Sequence, residues 1–194
     1  MQSSLFHRAL AFDVNREYLR AGECYEQVLA LPDAPVEAFA NHAFIRWEAG
    51  TTNSGCFTNG TDVPAALEPQ PTDFDPGPEP LAYLLRPGLT RYPHSAELRF
   101  WRRYFSCRAF FVDFSEADCL AILHEHPTDP SLVPYFFLSL FDEEKYRLQV
   151  DLLVPQCQQS PTAKLRWSGK SGQNRVLSFQ CHERQSPTYQ TSAL

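Results

Sequence analysis

The sequence has few basic residues and lacks any long hydrophobic run. Its 17 Lys and Arg residues are outnumbered by 23 Asp and Glu residues, which gives a net charge of −6. Because contacts to nucleic-acid phosphates need a basic surplus, this balance argues against nucleic acid as a partner. No stretch approaches the length that spans a bilayer, and the first residues lack the pattern of a secretory signal. We therefore expect a cytoplasmic protein with no membrane partner.

The sequence also lacks the residue spacings of common metal and catalytic motifs. Structural zinc sites pair their ligands closely, whereas Cys107 and Cys119 are far apart and His124 and His126 alternate. A glycine-rich phosphate loop is missing, and so are the flanking signatures of a nucleophilic cysteine. We expect no metal, no cofactor and no enzymatic activity. A hydrolase that uses cysteine and histidine is the least favoured alternative.

The first 50 residues alternate bulky and small side chains with helical spacing. Ala9 and Ala21 would let two helices approach closely, while Tyr18 and Tyr25 would fill the space beside them. This pattern resembles the helix pair of a tetratricopeptide repeat, and the segment EYLRAGECYEQVLALPD, residues 17–33, matches that repeat best. The resemblance implies stacked helical hairpins. Any other amphipathic helical hairpin is the alternative.

Proline spacing extends the register along the chain. Pro127 lies 34 residues after Pro93, and Pro161 lies 34 residues after Pro127. This interval is the length of one tetratricopeptide unit. We predict an all-α, tetratricopeptide-like solenoid of about four units over residues 1–167, with a flexible Pro- and Gly-rich insertion at 51–78 and a disordered tail at 168–194. The predicted helices span residues 3–15, 16–31, 35–49, 79–91, 95–110, 115–125, 130–141 and 142–154.

The family resemblance implies a binding face. In tetratricopeptide proteins the first helix of each unit lines a concave groove that binds extended peptides or helices. On this register Phe6, Leu10, Asn41 and Phe44 would lie in such a groove and contact a partner. Asn41 alone matches the family's carboxylate clamp, which does not suffice to predict chaperone docking.

Arginines concentrate in one unit of this otherwise acidic chain. Only one acidic residue, Glu97, falls between Arg86 and Arg108, and guanidinium groups bind carboxylates in bidentate fashion. Arg99 and Arg103 are four residues apart on a predicted helix, so together with Arg102 they could bind an acidic segment. A solvated helix face is the alternative interpretation. The arginines concerned are Arg86, Arg91, Arg99, Arg102, Arg103 and Arg108.

These observations predict a binding protein. We expect a non-catalytic interaction scaffold or chaperone-like adaptor whose partner is an extended or helical segment of another protein, with an acidic segment favoured by the arginines. An RNA-processing assembly factor is the alternative, because Trp101 and Tyr104 resemble a half-a-tetratricopeptide unit. The acidic net charge argues against that alternative.

Overall fold

The fold is helical throughout the part of the chain that the structure describes. A computed structural model describes residues 2–53, 82–110, 112–166 and 168. These ranges contain no strand, which confirms the predicted all-α class. Within these ranges, eight helices have defined bounds: α1 (Gln2–Val14), α2 (Tyr18–Leu29), α3 (Val36–Asn53), α4 (Ala82–Arg91), α5 (Ala96–Phe110), α6 (Glu116–Glu125), α7 (Val133–Leu138) and α8 (Glu143–Gln159). Residues 163–166 are helical as well.

Helices that are neighbours in the sequence are also neighbours in space. Each of α1 to α5 packs against the helix that follows it, and α3 additionally packs against α5. Helix α7 contacts α5 and α6, and α8 packs on α7. The described helices therefore pack mainly against their neighbours in the sequence.

Small residues allow α1 and α2 to approach closely, as the sequence predicts. Ala9 and Ala21 have no exposed surface, and Tyr25 and Val28 are buried beside them. Tyr18 is half-buried and packs against the same core. The alternation of bulky and small residues is therefore explained by packing between these two helices.

Aromatic rings form the core between α3 and α5. The Phe44 ring meets the Trp101 ring edge-on at a centroid distance of 5.3 Å. The Trp47 ring stacks on the Phe105 ring at 4.9 Å. Such pairs add roughly 0.5–1.5 kcal/mol each to the stability gained from burial alone. Phe100, Trp101, Tyr104 and Phe105 have no exposed surface and thus belong to the core.

Two helix termini are fixed by local polar contacts. The Ser115 hydroxyl accepts a bond from the Asp118 N–H, and the Asp118 carboxylate accepts one from the Ser115 N–H, so α6 begins with a capping box. The Asp142 carboxylate accepts a bond from the Lys145 N–H at 3.0 Å and caps α8. These contacts explain why both helices begin close to the predicted residues.

Helix α1 ends in a turn that normally contains glycine. Arg16 has a positive φ of 64°. Its N–H donates to the Asp13 carbonyl at 2.9 Å, and the Glu17 N–H donates to the Phe12 carbonyl at 2.8 Å. This pair of bonds is a Schellman motif. It places the carbonyls of Asp13 and Val14 at the C-terminal end of α1, where the helix dipole is negative.

Two turns that are one predicted period apart lie side by side. The Ser95 hydroxyl donates to the Asp129 carboxylate at 3.0 Å, and the Ser131 hydroxyl donates to the Glu97 carboxylate at 2.9 Å. Both pairs are separated by 34 residues. The proline spacing therefore identified two turns that contact each other.

The predicted insertion and tail fall mostly outside the described residues. Of the insertion predicted at 51–78, residues 51–53 belong to α3, so the predicted start was wrong by these residues. Of the tail predicted at 168–194, only Ser168 is described. Ser168 is buried and its hydroxyl donates to the Lys164 carbonyl at 3.1 Å, so the packed region extends through that residue.

Candidate functional site

Arg99 and Arg103, which were predicted to bind one acidic segment, direct their guanidinium groups towards opposite ends of α5. The Arg99 guanidinium donates two bonds, of 3.2 and 2.8 Å, to the Pro93 carbonyl, which precedes the helix. The Arg103 guanidinium donates to the Asp113 carbonyl, which follows the helix, at 3.2 Å. Arg102 lies between them and is half-buried. The structure therefore does not bring these guanidinium groups together, and binding of an acidic segment by them stays a prediction.

The residues predicted to line a groove do not form one open surface. Asn41 and Phe44 have no exposed surface, so in this conformation neither can contact a partner. Phe6 and Leu10 are half-buried and pack against the core. The Phe6 ring lies 6.4 Å from the Tyr25 ring. All four side chains contribute to packing between helices.

A buried chain of hydrogen bonds links α1, α2 and α3. The Tyr25 hydroxyl donates to Asp13 Oδ2 at 3.1 Å, and Asn41 Nδ2 donates to the Tyr25 oxygen at 3.1 Å. Asp13 has no exposed surface, and this burial raises the pKa of its carboxyl from 3.8 to about 6. The bonds from the Ala163 N–H and Tyr25 lower the same pKa and offset part of the effect. Asp13 is thus a desolvated carboxylate held in place by Tyr25.

Residues 161–166, hereafter the resident segment, return to the end of α1. The Ala163 N–H donates to Asp13 Oδ1 at 2.6 Å. The Arg166 guanidinium donates to the carbonyls of Asp13 and Val14 at 3.1 and 3.2 Å, and to the Tyr18 hydroxyl at 2.9 Å. A cation at a helix C-terminus interacts favourably with the helix dipole. The resident segment therefore connects the last described residues to the first helical hairpin.

A second cation of the resident segment binds α5. Lys164 Nζ donates to Glu97 Oε1 at 2.6 Å, and only 3% of the Lys164 side chain is exposed. The Trp101 indole N–H also donates to Glu97 Oε1, at 3.4 Å. Lysine is almost never fully buried unless it is paired, and here Glu97 provides the pair.

Sequence reasoning missed this site. Neither Glu97 nor Lys164 was assigned a role together with Asp13. The contacts from Ala163 to Asp13 join residues 150 positions apart, and no local pattern indicates such a pairing. The one available signal was the presence of Lys164 and Arg166 two residues apart after a predicted helix.

A second surface is apolar and lies on α8 and the turn before it. Within the described residues, the exposed large apolar side chains all fall between positions 140 and 154. Leu148 and Leu152 are the most exposed, at 69% and 56%, and are one helical turn apart. Tyr146 and Leu153 cover the opposite, buried side of α8. Val154 is also exposed, but it lies two residues after Leu152 and therefore on another side of α8. Leu148 and Leu152, together with Leu140 and Phe141 of the preceding turn, are hereafter the α8 face.

The structure buries the two cysteines considered for metal or thiol chemistry. Burial raises the pKa of the Cys119 thiol to about 12, which keeps it protonated at neutral pH. Cys107 is also buried. Across the described ranges, no three His, Cys, Asp or Glu side chains lie close enough to hold a metal ion.

None of the helices in the described ranges combines the length and the apolar character needed to cross a bilayer. Comparisons with protein families, with curated proteins and with solved structures find no match to this chain.

Proposed function

We propose that this chain is a non-catalytic, tetratricopeptide-like helical array of about four units that binds another protein. The observation that carries this proposal is the α8 face, where exposed apolar side chains are concentrated on one helix and the turn before it. Single exposed apolar residues are ordinary, whereas a contiguous exposed apolar patch is typical of an interaction surface.

The partner that fits the α8 face is an amphipathic helix. Each of the helices α1 to α5 packs against the helix that follows it, and Leu148 and Leu152 repeat the spacing of such an interface on the outward side of α8. A helix of 17 residues is about 25 Å long, which gives room for several turns of a partner helix. An amphipathic helix binds such a stripe through its own apolar residues at i, i+3, i+4 and i+7.

Charged residues beside the stripe favour basic flanks on the partner helix. Glu144 precedes Leu148 by one helical turn, and Asp151 lies one turn after it. Both acidic side chains are exposed. Glu144 is already paired with Arg147 at 3.2 Å, so a basic residue flanking the partner's apolar stripe would pair with Asp151. Such a pair determines orientation and association rate more than affinity.

Matched variants of the full chain test this proposal. Leu148→Glu with Leu152→Glu alters the stripe, while Gln158→Glu with Gln159→Glu adds the same charges to exposed positions of the same helix. Affinity capture with the wild type and both variants should recover a protein that only the stripe variant loses, and the purified protein should then bind the wild type directly. A set of captured proteins that does not differ between the stripe variant and the wild type would contradict the proposal. Self-association through the α8 face, measured by light scattering, would contradict it as well.

A further inference from the structure

Three turns within the described ranges share one construction, in which proline is the second residue and the N–H of the fourth donates to the carbonyl of the first. They span residues 31–34, 92–95 and 126–129. The first residue of each later turn reaches back to the turn before it. The Tyr92 hydroxyl donates to the Ala34 carbonyl at 2.5 Å. The His126 ring lies 6.0 Å, between centroids, from the His94 ring. His126 therefore has the place in its turn that Tyr92 has in the preceding turn.

The His126 imidazole, unlike the Tyr92 hydroxyl, is buried without a hydrogen-bond partner among the described residues. Only 8% of its side chain is exposed, and neither Nδ1 nor Nε2 forms a hydrogen bond in this part of the chain. A neutral imidazole has one donor and one acceptor, so both are unsatisfied. A buried polar group in this state costs stability, and a buried positive charge in its place costs more.

Two cationic side chains oppose a positive charge on His126. Arg99 faces the imidazole from α5, and His94 faces it from the earlier turn. Burial, the larger effect, and these two groups lower the pKa of His126 from its ordinary value of 6.5. The neutral ring is therefore the form that fits between the two turns.

Two carboxylates face the same imidazole and favour its protonation, but neither compensates the opposing effects. Glu125 Oε2 lies 4.0 Å from His126 Nε2, and 67% of the Glu125 side chain is exposed, so solvent screens the attraction. The Asp129 carboxylate already accepts bonds from the Ser95 hydroxyl at 3.0 Å and from the Ser131 N–H at 2.8 Å. Neither carboxylate thus offers the ring a buried partner.

We propose that the contact between the turns 92–95 and 126–129, hereafter the turn joint, is a pH-sensitive device that closes around neutral His126 and is opened by protonation of His126 in mildly acidic solution. Opening exposes the imidazole to water, where it takes up a proton at its ordinary pKa. The stability of the closed joint is therefore complete above pH 6.5 and is lost as the pH falls below this value. This inference concerns a different part of the chain from the α8 face and does not depend on the function proposed for that face.

Opening of the turn joint should extend to the resident segment. The Ser131 hydroxyl donates across the joint to the Glu97 carboxylate at 2.9 Å, and the same carboxylate pairs with Lys164. Loss of the contact with Ser131 would leave Glu97 less well fixed for this pair. Acidification should therefore loosen residues 163–166 as well as the two turns.

Hydrogen exchange on full-length proteins at about pH 7 and about pH 5 tests the inference. The Ser95 and Asp129 amides close the two turns, and their protection factors, corrected for the intrinsic pH dependence of exchange, should fall at the lower pH. The expected fall in the wild type is at least about threefold, with an upper limit of about thirtyfold set by an exposed imidazole. His126→Gln should abolish this dependence, whereas the control His124→Gln, at an exposed position two residues earlier, should keep it. The same dependence in His126→Gln and in the wild type would overturn the inference.

A nuclear magnetic resonance titration of the wild type keeps the inference testable if His126→Gln does not fold. The His126 imidazole resonances should titrate with a midpoint below pH 6.5, and the Ser95 and Asp129 amide resonances should change with the same midpoint. A His126 midpoint at or above 6.5 would overturn the inference. Protection of the two amides that is the same at both pH values would overturn it too.

Discussion

Replacing Asp13 with Asn should remove a pH-dependent destabilisation of the folded state. Burial raises the pKa of Asp13 from 3.8 to about 6, so the folded protein binds more protons than the unfolded chain between these values. The contribution of Asp13 to stability is therefore greatest below pH 3.8 and is lost as the pH rises through about 6. A shift of this size corresponds to about 3 kcal/mol in total.

The surrounding contacts should tolerate the Asp13→Asn substitution. The new amide keeps one oxygen to accept the Ala163 N–H, and its nitrogen would donate to the Tyr25 hydroxyl. The Tyr25 proton could then pass to Asn41 Oδ1, an atom that has no hydrogen-bond partner within the described residues. A flip of the Asn41 amide, which exchanges the positions of Oδ1 and Nδ2, would complete this arrangement, so we expect a folded variant.

Urea unfolding at about pH 4.5 and about pH 7 measures the effect. The free energy of unfolding of the variant, relative to the wild type, should increase by about 2 kcal/mol between these pH values. His42 has an opposite effect in both proteins, because burial lowers its pKa to about 4 and stability then falls with decreasing pH. Comparing the two proteins cancels that contribution. Asp151→Asn, at an exposed position of α8, should keep the wild-type profile. A difference between Asp13→Asn and the wild type that does not change with pH would refute the reasoning.

Three substitutions test the packing by thermal or urea unfolding. Gly88→Ala would place a Cβ 2.9 Å from Phe39 Cβ, which is fixed to the backbone of α3, so stability should fall by about 1–3 kcal/mol. The control Thr90→Ala, at an exposed position, should change stability little. Unchanged stability of the Gly88→Ala variant would disprove this close approach. Arg16→Gly should raise stability by about 0.5–1 kcal/mol because Arg16 has positive φ, and a loss would contradict the Schellman end of α1. Ala21→Trp should destabilise by about 1–3 kcal/mol or more, and an unchanged melting temperature would show that Ala21 does not face α1.

Local periodicity was sufficient to predict most helices. Helices α1, α2, α5 and α6 begin and end within three residues of the predicted positions, because capping and apolar spacing are encoded over a few residues. Proline was a less reliable signal of where a helix ends. We predicted that α8 ends before Pro155, yet the helix continues to Gln159. Pro155 is exposed and removes only one backbone bond, which packing through Leu153 and Tyr146 offsets.

The candidate sites depend on contacts that local patterns do not contain. The helical spacing of Arg99 and Arg103 was correct, but the direction of each long side chain depends on which carbonyl it reaches, Pro93 before the helix or Asp113 after it. The role of Asp13 depends on Ala163, which is close only after the whole chain has folded. Sequence therefore predicted the helices that carry these residues and not the contacts that their side chains make.

The central claim is that the α8 face binds a partner helix. Its most direct test is a calorimetric titration of this protein with the purified partner protein. Burying one leucine contributes about 1.5–3 kcal/mol, so replacing both Leu148 and Leu152 with Glu should weaken binding by about a hundredfold or more. The wild type and the Gln158→Glu, Gln159→Glu control should bind equally, with the negative heat-capacity change of apolar burial. Binding by the Leu148→Glu, Leu152→Glu variant that equals that of the wild type would contradict the claim.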